Sequence, residues 1–150
     1  MGFKPPVVEQ KYYFDATAET MFRYLTDRKE LVKWLLSDAR IKPEVGSTYK
    51  FTWRGGSNHV GKVEKVVPGK TLVLTWPNVI RGKEYRTKVS FSIAKKGRGS
   101  VVKLRHTGFK EGDDWFWLFG AIQSGWAYFM TNLKSVVSQG KDLRSDFDGP

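Results

Sequence analysis

Cysteine is absent from this 150-residue chain. That excludes a disulfide framework, a thiolate metal site and a cysteine nucleophile together. Histidine is scarce: His59 and His106 are the only two. Two imidazoles with no thiolate are too few for an ordinary His-built metal site, so no metal and no cofactor are expected. Long apolar runs are missing too, and nothing approaches the roughly 18 residues of a membrane span. The segment from Met1 to Lys11 has two prolines and no apolar stretch, unlike a signal peptide. Pro6 stands where a myristoylation signal needs Ser or Thr. The expectation is a cytoplasmic protein with no membrane span.

Positive charge and aromatic rings are what the chain has in excess. Lys and Arg number 26 against 15 Asp and Glu, a formal charge of +11, and aromatics make up 15% with six Trp. The charge is local. Residues 1–78 carry 13 basic and 8 acidic residues; residues 79–110 carry 10 basic residues and only Glu84; residues 111–150 carry 3 basic and 6 acidic. Such a block fits an anionic partner of some kind.

Hydrophobic period divides the chain. Val7 to Phe14 reads as a strand. Thr17 is a good N-cap for a helix over Ala18 to Thr26, and Asp27 for a second from about Arg28 to Leu35. From Arg40 the period becomes two. Tyr49, Phe51 and Trp53 alternate with polar residues; Val60 to Val67 resumes; Leu72, Leu74 and Trp76 follow, with Pro77-Asn78 read as a break. Tyr85 to Ile93 and Val102 to His106 continue the alternation, giving about seven strands. After Asp113-Asp114, read as capping residues, the period returns to 3.6. Trp115, Phe119, Ile122, Trp126, Phe129, Met130, Leu133 and Val137 form one stripe on a helix of roughly 25 residues. Such a helix has to lie across a whole sheet to bury that stripe. Gly125, in mid-helix, suggests a close backbone approach, and Gly140 a C-cap. The prediction is one α+β domain over 1–150, with a tail from about 141.

Several motifs carry a resemblance. Asp15 to Phe22, then Leu25-Thr26-Asp27 and Trp34, resemble the entry segment of activators of the heat-shock protein 90 ATPase. Gly61-Lys62-Val63, Val66, Pro68 and Leu74-Thr75-Trp76 look like the family's central strands. Leu104 to Phe109 is similar to its last strand, and Gly125-Trp126, Leu133-Lys134 and Gly140 to its helix signature. The chain is thus similar to the homologue-1-like branch of that family, within the START-like superfamily. The resemblance implies a helix-grip fold: a curved antiparallel sheet, two short helices, and a long C-terminal helix across the sheet. It also implies a possible chaperone link, because eukaryotic members bind the middle and N-terminal parts of that chaperone.

A gripped helix leaves a space that suits a small apolar ligand. The inward residues expected to line it are Trp34, Tyr49, Phe51, Trp53, Trp76, Tyr85, His106, Trp115, Phe119, Ile122 and Trp126. Either these rings fill the core, or they line a pocket oriented by Tyr85, His106 and indole N–H groups. His106 is the best acid–base candidate by position, yet no carboxylate shares its strand face. His59, after a turn, is expected to be exposed. With no paired carboxylates, no activated Ser and no phosphate loop ahead of a helix, no catalytic residue is assigned. Arg86, Lys88, Lys103 and Arg105 take outward positions on two adjacent strands and should cluster into a basic face for an acidic protein partner such as a chaperone. Nucleic acid is disfavoured, because no aromatic side chains interleave with those charges.

Overall fold

A computed structural model describes residues 2–148. The chain opens with β1 (Val8–Phe14) and two short helices, α1 (Ala18–Thr26) and α2 (Arg28–Trp34). Both helices start as their capping residues predict. The Thr17 hydroxyl accepts the Thr20 backbone N–H at 3.2 Å. The extended backbone of Asp27 ends α1, and its carboxylate accepts the Lys29 N–H at 3.1 Å to begin α2. Met21, Phe22, Leu25, Leu31 and Trp34 are the buried side of the pair. The Trp34 indole donates to the Tyr24 carbonyl at 3.0 Å, which locks α2 to α1.

The chain continues through β2 (Asp38–Arg40), β3 (Thr48–Thr52), β4 (Asn58–Val67), β5 (Thr71–Ile80), β6 (Lys83–Lys96) and β7 (Gly99–Thr107), then α3 (Asp113–Gln139) and α4 (Arg144–Asp148). The strands form one antiparallel sheet in the order β1-β7-β6-β5-β4-β3-β2. This is the helix-grip arrangement. The strand β2 has no bounds that the sequence alone can set, because three residues are too few to show a period of two.

Pro77-Asn78 does not break its strand. β5 continues to Ile80, and Pro77 pairs with Arg86 of β6. The reason lies on the other side of β5. The β4–β5 ladder runs from Val67↔Thr71 only as far as Val63↔Leu74, with an irregularity between Val63 and Lys65. Beyond it the strands part, so the missing N–H of Pro77 leaves no ladder bond unmade. Side chains bridge the split instead. The Tyr49 hydroxyl donates to the Thr75 carbonyl at 2.6 Å, and the Lys62 N–H donates to the Thr75 hydroxyl at 2.8 Å. Gly61 is required here, since a Cβ would stand 2.5 Å from the Tyr49 ring and 2.7 Å from the Thr75 carbonyl oxygen.

The helix α3 crosses the sheet and buries Leu118, Trp126, Met130, Asn132, Leu133 and Val136. Trp115, Phe119, Ile122, Phe129 and Val137 flank that stripe, partly buried. Phe116 and Trp117 face outward and are exposed. Neither Asp113 nor Asp114 is the N-cap, which is Gly112. Asp114 instead pairs with Arg81 and accepts the Tyr85 hydroxyl at 2.6 Å. Gly140 ends the helix in the left-handed region at φ 68°. The segment after it is tied back to α2 and the residues that follow α2. The buried Arg144 donates to the Val32 carbonyl at 2.8 Å, to the Leu36 carbonyl at 3.1 Å and to Asp142 at 2.9 Å. Burial works to raise the Asp142 pKa, but hydrogen bonds from Arg144 and Asn132 outweigh it and hold the carboxyl at about 2.

Candidate functional site

The interface between sheet and α3 has a closed part and an open part. In the closed part, Trp34, Phe51, Leu74, Phe91 and Trp126 surround a void of about 10 Å³. That is barely the space of one water molecule. Trp34, Tyr49 and Phe51 are fully buried among their neighbours and are packed as core.

His106 belongs to this closed part, and all its hydrogen-bonding capacity is used. The Trp126 indole donates to His106 Nδ1 at 3.0 Å. The proton therefore sits on Nε2, which faces the Thr87 hydroxyl at 2.6 Å. The Thr87 hydroxyl in turn donates to the Trp76 carbonyl at 3.0 Å, and the Asn78 amide donates to Thr87 at 3.0 Å. Burial, with repulsion from His59, holds the His106 pKa down at about 3. It is a neutral ring at the centre of a satisfied network, with no spare valence for proton transfer.

The open part is a groove of about 330 Å³ between α3, the β3–β4 turn and the strands β4 and β5. Trp53, Trp76, Ile122, Trp126 and Phe129 line it, together with Ser57, His59, Ala121 and Gly125. The rings are in contact: Trp53 lies 6.0 Å from Trp76 and 5.5 Å from Phe129, and Trp76 lies 5.3 Å from Trp126, centroid to centroid. Gly125 does not mark a close backbone approach; nothing lies within 4 Å of where its Cβ would be. With Ala121 one turn earlier, it leaves a space that ordinary helix side chains would fill.

His59 is in this groove, not exposed. Its register partner is the inward-facing Phe51, so both point to the helix side of the sheet. The ring is 4.3 Å from Trp76 and 6.2 Å from Trp53, centroid to centroid. Its Nε2 is shielded from solvent and, alone among the buried side-chain polar atoms of the described residues, has no hydrogen-bond partner. Burial lowers its pKa to about 4, against a smaller opposing pull from the Pro77 carbonyl. The sequence signal for it was there: counting back by two from the buried Val63 passes Gly61 and reaches His59.

The other predicted liners lie elsewhere. Tyr85 and Trp115 meet edge to face at 4.9 Å, near the N-terminal end of α3. Phe119 packs on Phe109 at 5.2 Å. Of the groups expected to orient a ligand, the Tyr85 hydroxyl is bound to Asp114, His106 to Thr87 and Trp126, and the Trp34 and Trp126 indoles to Tyr24 and His106.

Arg86, Lys88, Lys103 and Arg105 occupy the outer face of the sheet, but not as a free basic cluster. Arg86 is 3.2 Å from Glu84 and Lys88 is 2.9 Å from Glu64. Lys103 and Arg105 share Glu9, at 3.3 and 3.0 Å. The neighbouring strands β1 and β4 supply two of these three carboxylates, which a view of β6 and β7 alone cannot show. A wide cleft of about 650 Å³ opens on this face where β4 leaves β5, rimmed by the Lys88–Glu64 and Arg86–Glu84 pairs. No group of three or more His, Asp or Glu among the described residues is placed to hold a metal ion. No helix among them is long and apolar enough to cross a membrane.

Residues 15–138 match the family model described as Activator of Hsp90 ATPase homolog 1-like protein. The chain belongs to that family. Solved structures agree on the fold. Protein MLL2253 from Mesorhizobium loti superposes with a TM-score of 0.80 at 23% identity, covering 91% of this chain and 99% of its own. The Aha1 dimer from Colwellia psychrerythraea gives 0.77 at 26% identity, covering 91% and 98%. Protein SSP2350 from Staphylococcus saprophyticus gives 0.75 at 20% identity, covering 93% and 96%. No match was found among curated proteins. Membership in the family of Activator of Hsp90 ATPase homolog 1-like proteins supports an Aha1-like module on a helix-grip fold. The groove lies at the interface between sheet and long helix that defines this fold.

Proposed function

We propose that this member of the family of Activator of Hsp90 ATPase homolog 1-like proteins is a non-catalytic binding module that holds a small apolar ligand in the groove beside α3. One observation carries the reading: Ala121 and Gly125 leave about 330 Å³ open over Trp53 and Trp76. Small-molecule sites begin at roughly 300 Å³, so the groove suits a ligand of two or three rings. The polar groups of the closed part are already paired with one another, which supports binding rather than turnover. A chaperone contact through the outer face has less support, because its four basic residues each have a carboxylate within 3.3 Å.

The test is titration with the neutral fluorophore N-phenyl-1-naphthylamine. Saturable binding at one site is expected. The variant Gly125→Leu, whose side chain enters the groove, should weaken it at least about 10-fold with the thermal midpoint retained. No saturable binding, or binding unchanged in the variant, overturns the proposal.

A further inference from the structure

The groove's polar demand is specific, and it narrows the ligand. A neutral imidazole carries one donor and one acceptor nitrogen. Buried polar atoms are almost always paired, because one left unpaired loses its hydration without a replacement. Among the buried side-chain polar atoms of the described residues, only His59 Nε2 is in this state. His106, the other histidine, has both nitrogens engaged. The ring that carries the unfilled valence therefore stands in the wall of the open groove and not in the closed core, with Nε2 just beneath the surface of that wall.

We infer that the ligand of this groove is a neutral, planar aromatic molecule bearing one hydroxyl, and that the His59 ring turns to pair its shielded Nε2 with that hydroxyl. This rests on the groove being a binding site. A hydroxyl both donates and accepts, so it satisfies either tautomer of the ring. One hydroxyl suffices because a single polar atom is unmatched and the remaining wall is mainly Trp53, Trp76, Trp126, Ile122 and Phe129. The planar body follows from those rings, which offer stacking and edge contacts. Neutrality follows from the lining: it contains no Lys or Arg. A carboxylate entering it would lose hydration without gaining a counter-charge.

Three probes of one size test this: 2-naphthol, 2-methylnaphthalene and 2-naphthoate. Affinities are read from tryptophan fluorescence, and site occupancy from the imidazole nitrogen NMR signals of His59 and His106, the chain's only two histidines. The naphthol should bind about 10-fold tighter than the methyl compound and the carboxylate weakest, as one restored buried hydrogen bond predicts. The naphthol should also shift the His59 Nε2 signal and leave His106 in place. His59→Phe keeps a ring in the wall and should erase the preference while retaining the methyl compound; should that variant misfold, the Nε2 shift in the unmodified protein decides alone. Equal binding of naphthol and methylnaphthalene, strongest binding of the carboxylate, or a naphthol complex with an unmoved His59 signal overturns this inference alone. Binding of none of the three overturns the groove as a binding site as well.

Discussion

His59 and His106 point to the same side of the same sheet, and both contact Trp76. Around His106 the strands β5, β6 and β7 are fully laddered, α3 lies directly over them, and every polar atom finds a partner. Around His59 the strand β4 has left β5, α3 presents Ala121 and Gly125, and one nitrogen is left over. The lesson is that one aromatic interior is finished where the sheet is continuous and unfinished where it splits. A binding site needs the second condition, since a filled core has nothing to give a ligand.

The largest expected effect that tests this contrast is a pair of truncations. Trp34→Ala, in the closed part, should cost about 3–5 kcal/mol. Trp53→Ala, at the groove, should cost about 1–2 kcal/mol, because that ring is only partly buried. Urea denaturation of both variants gives the difference. Equal losses would make the groove ordinary core.

Acid comes next. Burial sets the folded pKa of His59 at about 4 and of His106 at about 3, both below the ordinary 6.5. Between those values and 6.5 the unfolded chain binds more protons than the folded one, so stability rises with pH. Stability should therefore be fully present above about pH 6.5 and fall steadily as the pH drops towards 3. The Asp142 carboxyl, held at about 2, adds a further loss below its ordinary 3.8. Unfolding followed by circular dichroism from pH 7 to 3 checks this; a flat profile down to pH 4 would mean that both rings are hydrated.

Two glycines give the smallest and sharpest comparison. Gly61→Ala forces a Cβ onto the Tyr49 ring and the Thr75 carbonyl, and should cost about 1–3 kcal/mol. Gly125→Ala meets nothing within 4 Å and should stabilise the protein by about 1 kcal/mol through helix propensity. Thermal melts of the two variants should move in opposite directions. A destabilised Gly125→Ala would place α3 closer to the sheet than the groove allows.

Local chemistry made much of this fold legible. Thr17 and Asp27 announced two helix starts, the alternation from Tyr85 to Ile93 set the inward face of β6, and the period-3.6 stripe gave α3. What misled was local chemistry whose meaning depends on a neighbour. Pro77 looked like a break because its tolerance comes from the departure of β4. Gly125 looked like a close contact because small helix residues serve contacts and openings alike. The basic residues of β6 and β7 looked like a free patch because Glu9 and Glu64 arrive from strands distant in sequence. Of the expected groove residues, Trp53, Trp76, Ile122 and Trp126 line the observed one, while His59 and Phe129 were not among them.

The sequence by itself determined the order and type of the major elements, the face each strand turns inward, and an interior built from aromatic rings. Those follow from periodicity and capping, which are properties of neighbouring residues. Only the tertiary structure decided which rings pack and which stay open, which histidine is satisfied, and which charges are neutralised. Each of those depends on distances between residues far apart in the chain, here fixed by the split between β4 and β5 and the path of α3 across it.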